Sequence, residues 1–353
     1  MPSKDSYSGD RRSVVATAPC RADLAGSTLD LWPLYLFHPG AVTLNFAISI
    51  LTTCRITPLP GKSIRLRSVD TNRDETYAGL DELCSAQRHQ HTLGAQLVKY
   101  FAPKGGFLLE TTSESPAGAG IAGSSALMIA TTSALARYTG RKLEKESIRQ
   151  IAQNVEARII NVPTGCQDYY PALYGGASAV HLNVDGIHRE ALPVAAEDIE
   201  ARFLLVYTGA PRQSGINNWE VFKAHIDGVK KVVRNFEQIS QIAQCMHRAI
   251  GKADWNEVAE LLQQEWKLRR ANYTGISTPL IDKLTQVAQR NGGRAAKVCG
   301  AGGGGCVVFM VHEDAKERVA EALQKAGAHL LPFRVAQKGV VVTVTKNSRA
   351  AGA

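Results

Sequence analysis

Three stretches of this 353-residue chain hold residue types whose spacing could do chemistry. The densest is SPAGAGIAGSSALMIATTSALA at 115–136, where Pro116, Gly118, Gly120, Ala122 and Gly123 lead to the hydroxyls of Ser124 and Ser125. Glycine admits torsions that aim successive N–H groups into one cavity, and the free N–H groups at a helix start attract negative charge. The pattern is that of a phosphate cradle. A tight strand-to-helix turn capped by serine is the simpler alternative, but it would need neither the proline nor three glycines. The second stretch, APCRADLAGSTLDL at 18–31, sets Arg21 and Asp30 around a turn of small residues, Ala25 to Thr28. It suits hydroxyls or an anionic oxygen, or else holds only a surface arginine and a loop aspartate. The third, KVCGAGGGGCV at 297–307, has five glycines in the six positions from Gly300 to Gly305. Such a run costs conformational entropy, and the strand-like VVFMVH after it argues against a linker. It marks a place where backbone must approach a ligand or another loop closely.

Familiar phosphate-binding designs do not fit the first stretch. Gly118, Gly120 and Gly123 match G-x-G-x-x-G, yet RKLEKESIRQIAQNVEARII continues as helix where a dinucleotide fold needs a strand ending in an acidic residue. A Walker Gly-Lys-Ser/Thr and the protein-kinase motif set are missing. The seven cysteines, Cys20, Cys54, Cys84, Cys166, Cys245, Cys299 and Cys306, form no C-x-x-C pair, so neither a zinc framework nor a disulfide scaffold reads from them. His89 and His91 come nearest to a metal pair in spacing, but without a Cys or carboxylate partner they read as solvated surface histidines.

The formal net charge is +9. Its densest groups, Lys230, Lys231 and Arg234, then Lys267, Arg269 and Arg270, lie in helical stretches rich in Glu and Gln and read as solvated helix faces. That argues against a nucleic-acid surface and leaves a small anionic ligand as the partner. No apolar run reaches the roughly 18–20 residues that span a bilayer, and the start lacks a secretory h-region, so no membrane partner and a cytoplasmic location are expected. A homodimer is compatible with the sequence and required by nothing in it.

The elements that must position these residues follow from periodicity. Strands are expected within 41–57, at 64–70, 106–112, 177–184, 202–208, 307–312 and 339–345, and helices at 91–101, 124–139, 143–161, through much of 219–292, and at 315–326. Strands and helices do not alternate regularly, which predicts an α+β chain rather than a βαβ one. Its length suits two domains. The expected division is a polar tail at 1–13, an N-terminal domain at 14–205, a C-terminal domain at 206–346 and a polar tail at 347–353.

Taken in order, APxR…D, PxGxGIAGSSA and KVCGAGGGGC resemble the GHMP kinase superfamily, from about residue 16 to about 345. The sugar-kinase branch, with galactokinase, fucokinase and heptose 7-phosphate kinase, looks closest. The resemblance implies two domains with the active site between them, an N-terminal ribosomal-protein-S5-like α+β domain that binds ATP and a C-terminal ferredoxin-like α+β domain. It implies ATP and Mg²⁺ as cofactors and transfer of the γ-phosphoryl group to the hydroxyl of a sugar or sugar phosphate, the anomeric one, giving a sugar 1-phosphate. Mevalonate- or homoserine-type acceptors, or a catalytically silent sugar-sensing relative, are the alternatives.

Residue by residue, the resemblance puts the ATP phosphates on Pro116 to Ser125, with Ala122 replacing a glycine and Gly123 an insertion that could compensate. Ser125 and Glu156 match the Mg²⁺ ligands, although Glu156 could equally be an exposed helix carboxylate beside Arg158. Twelve residues after Glu156, GCQDYYPALYGG brings Asp168, which matches the catalytic aspartate. Arg21 matches the arginine that faces it, where the mevalonate branch usually has lysine. Asp30 matches the aspartate that binds sugar hydroxyls. Gly300, Gly302, Gly303 and Gly304 would form a support loop beside the site. Arg212 could meet a substrate phosphate or be a plain surface arginine.

Overall fold

The computed structural model describes residues 12–211 and 214–345, without the side chains of 214–217. The chain opens with β1 (Ser13–Ala25), β2 (Val42–Leu59), β3 (Ile64–Ser68) and β4 (Arg73–Tyr77). Then come α1 (Leu80–Ser85), α2 (Thr92–Phe101), β5 (Gly106–Ser113), α3 (Gly123–Tyr138), α4 (Lys145–Ile160), α5 (Tyr169–Tyr174), β6 (Ala177–Asn183) and β7 (Gly186–Ala191). After α6 (Ala196–Arg202) and β8 (Phe203–Tyr207) come four helices, α7 (Ser214–Ile226), α8 (Lys230–Gly251), α9 (Trp255–Asn272) and α10 (Pro279–Arg290). The chain then runs through β9 (Gly293–Val298), β10 (Cys306–Val311), α11 (Lys316–Lys325), β11 (His329–Leu330) and β12 (Val341–Thr345).

The strands make two sheets in the expected α+β arrangement. The larger runs β12-β1-β2-β5-β3-β4, with β6 and β7 added along the first half of β2; the smaller runs β11-β8-β10-β9. The 18-residue β2 organises the first sheet, pairing with β6 over 42–46 and with β5 over 52–59. The second sheet divides its residues by the two-residue period of a strand. Val307, Phe309 and Val311 of β10 enter a core with α10 and α11, while Val308 and Met310 join the large core shared with α3, α8 and α9.

The boundary expected at 205/206 falls inside β8, which pairs within the small sheet, and β12 is hydrogen-bonded to β1 in the large sheet rather than to the elements before it. Periodicity marks a strand without naming its partner, and both differences are choices of partner. His91 also departs from expectation. It is 6% exposed and caps α2, its Nδ1 accepting from the Gly94 N–H at 3.0 Å and its Nε2 lying 2.7 Å from Thr111 Oγ1. A helix start has free N–H groups to satisfy, and that need draws the ring inward.

Candidate active site

The pairing of β1 with β2 shifts register between Pro19 and Cys20, the kind of irregularity that re-aims the side chains beyond it. Arg21 is 2% exposed. It donates from Nε to Asp168 Oδ1 at 2.8 Å, with Nη2 2.7 Å from the same oxygen. Nη1 donates to the Gly120 carbonyl at 2.8 Å, and the Arg21 N–H to the Ile121 carbonyl at 3.0 Å. Burial pulls the guanidinium down, but Asp168 and then Asp23 raise it by more, leaving it above its ordinary value and charged. Asp168 stands at the start of α5, partly open to a cavity of about 630 Å³.

The Gly-rich loop walls that cavity. Gly118 and Gly120 take positive φ, 69° and 80°. Gly123 does not take over the torsion of the replaced glycine: Ala122 itself is left-handed at φ 61°, ψ 31°, and Gly123 is the first residue of α3. Gly123 serves space instead, since a Cβ there would stand 2.9 Å from the Ser115 side chain. A left-handed L-residue costs about 1–2 kcal/mol, and alanine is the smallest that must bear it.

In the first turn of α3, Ser124 donates to Glu156 Oε1 at 2.5 Å and Ser125 to Oε2 at 3.0 Å, while Tyr169 donates to Oε2 at 2.5 Å. Glu156 is therefore not an exposed helix carboxylate. Burial raises it above the usual carboxylate range, and the three hydroxyls partly offset that rise. A hydroxyl and a carboxylate side by side on the cavity wall are hard oxygen donors of the type magnesium takes.

Asp30 also lines the cavity, 4% exposed, accepting from the N–H of Gln167, the neighbour of Asp168, at 2.9 Å. Burial first, then the charge of Asp168, push it up to about 7. Gly165 makes room for it, since a Cβ at that position would overlap the carboxylate.

The glycines at 300–305 brace the Gly-rich loop at 116–123. The Cys306 N–H donates to the Ala119 carbonyl at 2.6 Å, and Gly305 has φ 78°, with a Cβ there falling 2.6 Å from the same oxygen. The Gly303 N–H reaches the Ile276 carbonyl at 2.9 Å, while Gly300 and Ala301 line the cavity. Gly302 and Gly304, also at positive φ, lie against the backbone of Ile276 and Ala210.

A buried charged cluster behind this loop was not anticipated. Lys297 on β9 is fully buried, pairs with Asp23 of β1, lies 3.5 Å from Glu265 of α9, and donates to Ser27 Oγ at 3.0 Å. Arg269, one helical turn from Glu265, is 4% exposed and bonds the Ser27 carbonyl at 3.0 Å and the Gly300 carbonyl at 2.9 Å. Arg269 thus leaves the solvated face expected for it, whereas Lys267 and Arg270 stay exposed. The signal was the four-residue spacing of Glu265 and Arg269 among Leu261, Leu262 and Trp266, which marks one inward face.

Thus Arg21, Asp30, Ser124, Ser125, Glu156 and Asp168, widely spaced in sequence, line one cavity. Arg212 lies outside the described residues.

The chain is similar in sequence and fold to known proteins. Residues 89–176 match the GHMP kinases N terminal domain and residues 246–329 the GHMP kinases C terminal domain. The chain is 27% identical over 336 residues to D-glycero-alpha-D-manno-heptose 7-phosphate kinase of Campylobacter jejuni, covering 93% of this chain and 98% of that one. It is 26% identical over 298 residues to mevalonate kinase of Thermococcus onnurineus, covering 80% and 82%. Galactokinase of Lactococcus lactis, crystallised with galactose, shares the fold with a TM-score of 0.76 at 17% identity, over 95% of this chain and 96% of that one. The two matched domains fall in chain order on the two parts that enclose the cavity, and the chain belongs to the GHMP kinases, phosphotransferases that use ATP as donor and an alcohol as acceptor.

Proposed function

We propose that this enzyme transfers the γ-phosphoryl group of ATP to the anomeric hydroxyl of a sugar that already carries a phosphate, giving a sugar 1-phosphate. The observation that carries the reading is the Arg21–Asp168 pair, which faces the cavity where the glycine-rich loop ends. The loop's N–H groups and the start of α3 receive the phosphates, and Ser125 with Glu156 would hold Mg²⁺, which would neutralise charge on the transferred group. Asp168 accepts the proton of the attacking hydroxyl. Arg21, which cannot act as a base, stabilises the charge that builds on the phosphoryl group. Asp30, held beside Asp168 by the Gln167 N–H, binds sugar hydroxyls, its carboxylate an acceptor for their donors. Arg212 is the residue proposed for the substrate's own phosphate; the heptose 7-phosphate specificity in the Campylobacter relative's name and the +9 charge support such a group. The cytosol is the proposed location; among the described residues no helix is long and apolar enough to cross a membrane.

The test is Mg²⁺-dependent ADP release across free hexoses and heptoses, their 6- and 7-phosphates, mevalonate and homoserine, with the product identified by phosphorus NMR. The expected result is turnover with a phosphosugar and an anomeric phosphate resonance. Turnover confined to mevalonate or homoserine, or none with any sugar, would overturn the reading.

A further inference from the structure

A second cluster of chemically capable side chains lies apart from the active cavity. His181 on β6 pairs across the ladder with His188 of β7, and Glu190 lies two residues further along β7, on the same face. His247 of α8 reaches that face from the helical layer. The Nε2 atoms of His181 and His247 lie 2.8 and 3.2 Å from Glu190 Oε2, and one ligand atom from each of the three residues falls within 4.8 Å of the others. The two imidazole planes stand at 83° to each other, with ring centroids 5.4 Å apart. Among the described residues, Glu190 forms salt bridges only with these two histidines; Arg189 points elsewhere, bonding Ser178 Oγ and the Gly175 carbonyl.

We propose that His181, Glu190 and His247 bind a divalent first-row transition ion, zinc above all, which clips the β6–β7 hairpin to α8. Two imidazole nitrogens and one carboxylate oxygen are the three-ligand set of an open tetrahedral zinc site, with the fourth position left to water. Ligand distances of about 2.0–2.1 Å place tetrahedral donors roughly 3.3–3.4 Å apart, a separation that the two histidine–glutamate distances approach and that rotation of these partly exposed side chains can reach. Magnesium, which demands oxygen ligands, is not expected here and belongs with Ser125 and Glu156. None of the three residues lines the active cavity, so the site can be tested without ATP or sugar.

The test uses tag-free, chelator-treated full-length protein, titrated with Co²⁺ to read visible d–d absorption and with Zn²⁺ in competition with a chromophoric chelator. The expected result is one equivalent bound, with tetrahedral Co²⁺ bands. Affinity should fall at least tenfold in His247→Ala and in Glu190→Gln. Zinc should raise the melting midpoint of the parent but not of these variants, and the metal-free midpoints should agree. Cys84→Ser, which removes the exposed thiol, should bind as the parent does. Absent Co²⁺ bands, undiminished affinity in both ligand variants, or binding lost with Cys84 would overturn the proposal.

Discussion

Arg21 and Asp168 are 147 residues apart in the chain, yet a guanidinium nitrogen lies 2.7 Å from the carboxylate, and the same guanidinium holds the Gly120 carbonyl of the Gly-rich loop. The two residues should therefore fail differently. Asp168→Asn should lower kcat by about 10²–10⁴ and change ATP affinity far less, because the amide keeps an oxygen for the Arg21 hydrogen bonds while the proposed proton acceptor and the charge partner of Arg21 are lost. Arg21→Ala should lower kcat and also weaken ATP binding, because Gly120 loses its anchor. Steady-state kinetics with calorimetric ATP titration separate these outcomes; Asp168→Asn at full kcat would remove the aspartate from the mechanism.

Asp30 predicts a pH dependence near neutrality. Its carboxyl titrates at about 7 in the fold against 3.8 in an unstructured chain, so the folded state binds the extra proton between those values. Its contribution to stability is thus greatest below pH 4, declines as pH rises towards 7 and is flat beyond. Sugar hydroxyls donate best to the ionised form, so KM for the sugar should fall as pH rises from 6 to 8. Asp30→Asn should abolish that slope while raising KM at every pH. An identical pH profile in Asp30→Asn would refute the assignment.

The support loop predicts a specific lesion. Gly305→Ala imposes a Cβ 2.6 Å from the Ala119 carbonyl at a φ of 78°, so its loop must withdraw from the Gly-rich loop at 116–123 that it braces. KM for ATP should rise several-fold, with a smaller change in KM for the sugar. Gly61→Ala is the control, because it carries the same positive φ with nothing within 4 Å of its Cβ. Equal effects of the two substitutions would show that strain alone, rather than loop contact, is being measured.

Lys297→Met tests the buried charges. It leaves Asp23 and Glu265 without their shared cation in a fully buried place, which should cost about 3–5 kcal/mol in urea unfolding. Adding Asp23→Asn should recover part of that loss, because the uncompensated charge is then removed. A strictly additive double variant would mean that the groups do not interact.

The chemistry was more legible in the sequence than the geometry that holds it. Glycine and serine crowding, one arginine and three carboxylates marked residues that line the cavity, because local composition records where backbone and polar groups must come close. The strand that carries Arg21 went unread. Its later residues, Cys20 to Ala25, are buried throughout and give no two-residue alternation, and the strand runs straight into the small residues from Ala25 to Thr28 that read as a turn. The Asp23–Lys297–Glu265 cluster joins residues up to 274 positions apart, and no local window relates such partners. His91 and Arg269 were read as solvated because a polar side chain in a polar neighbourhood looks exposed until the backbone groups it must satisfy are known.

The pairing of β12 with β1 also bears on how the gene could be cut. Ser13 and Thr345 are opposite one another in the ladder, so the described chain nearly closes on itself, and a short linker could join the two positions. An opening at the exposed turn between β6 and β7 would then give a permuted enzyme with both sheets intact. Severing the chain near residue 205 would instead split β8 and leave the C-terminal fragment carrying β12, an edge strand of the other fragment's sheet. The two halves of this kinase are neighbours in space but are not separable cassettes.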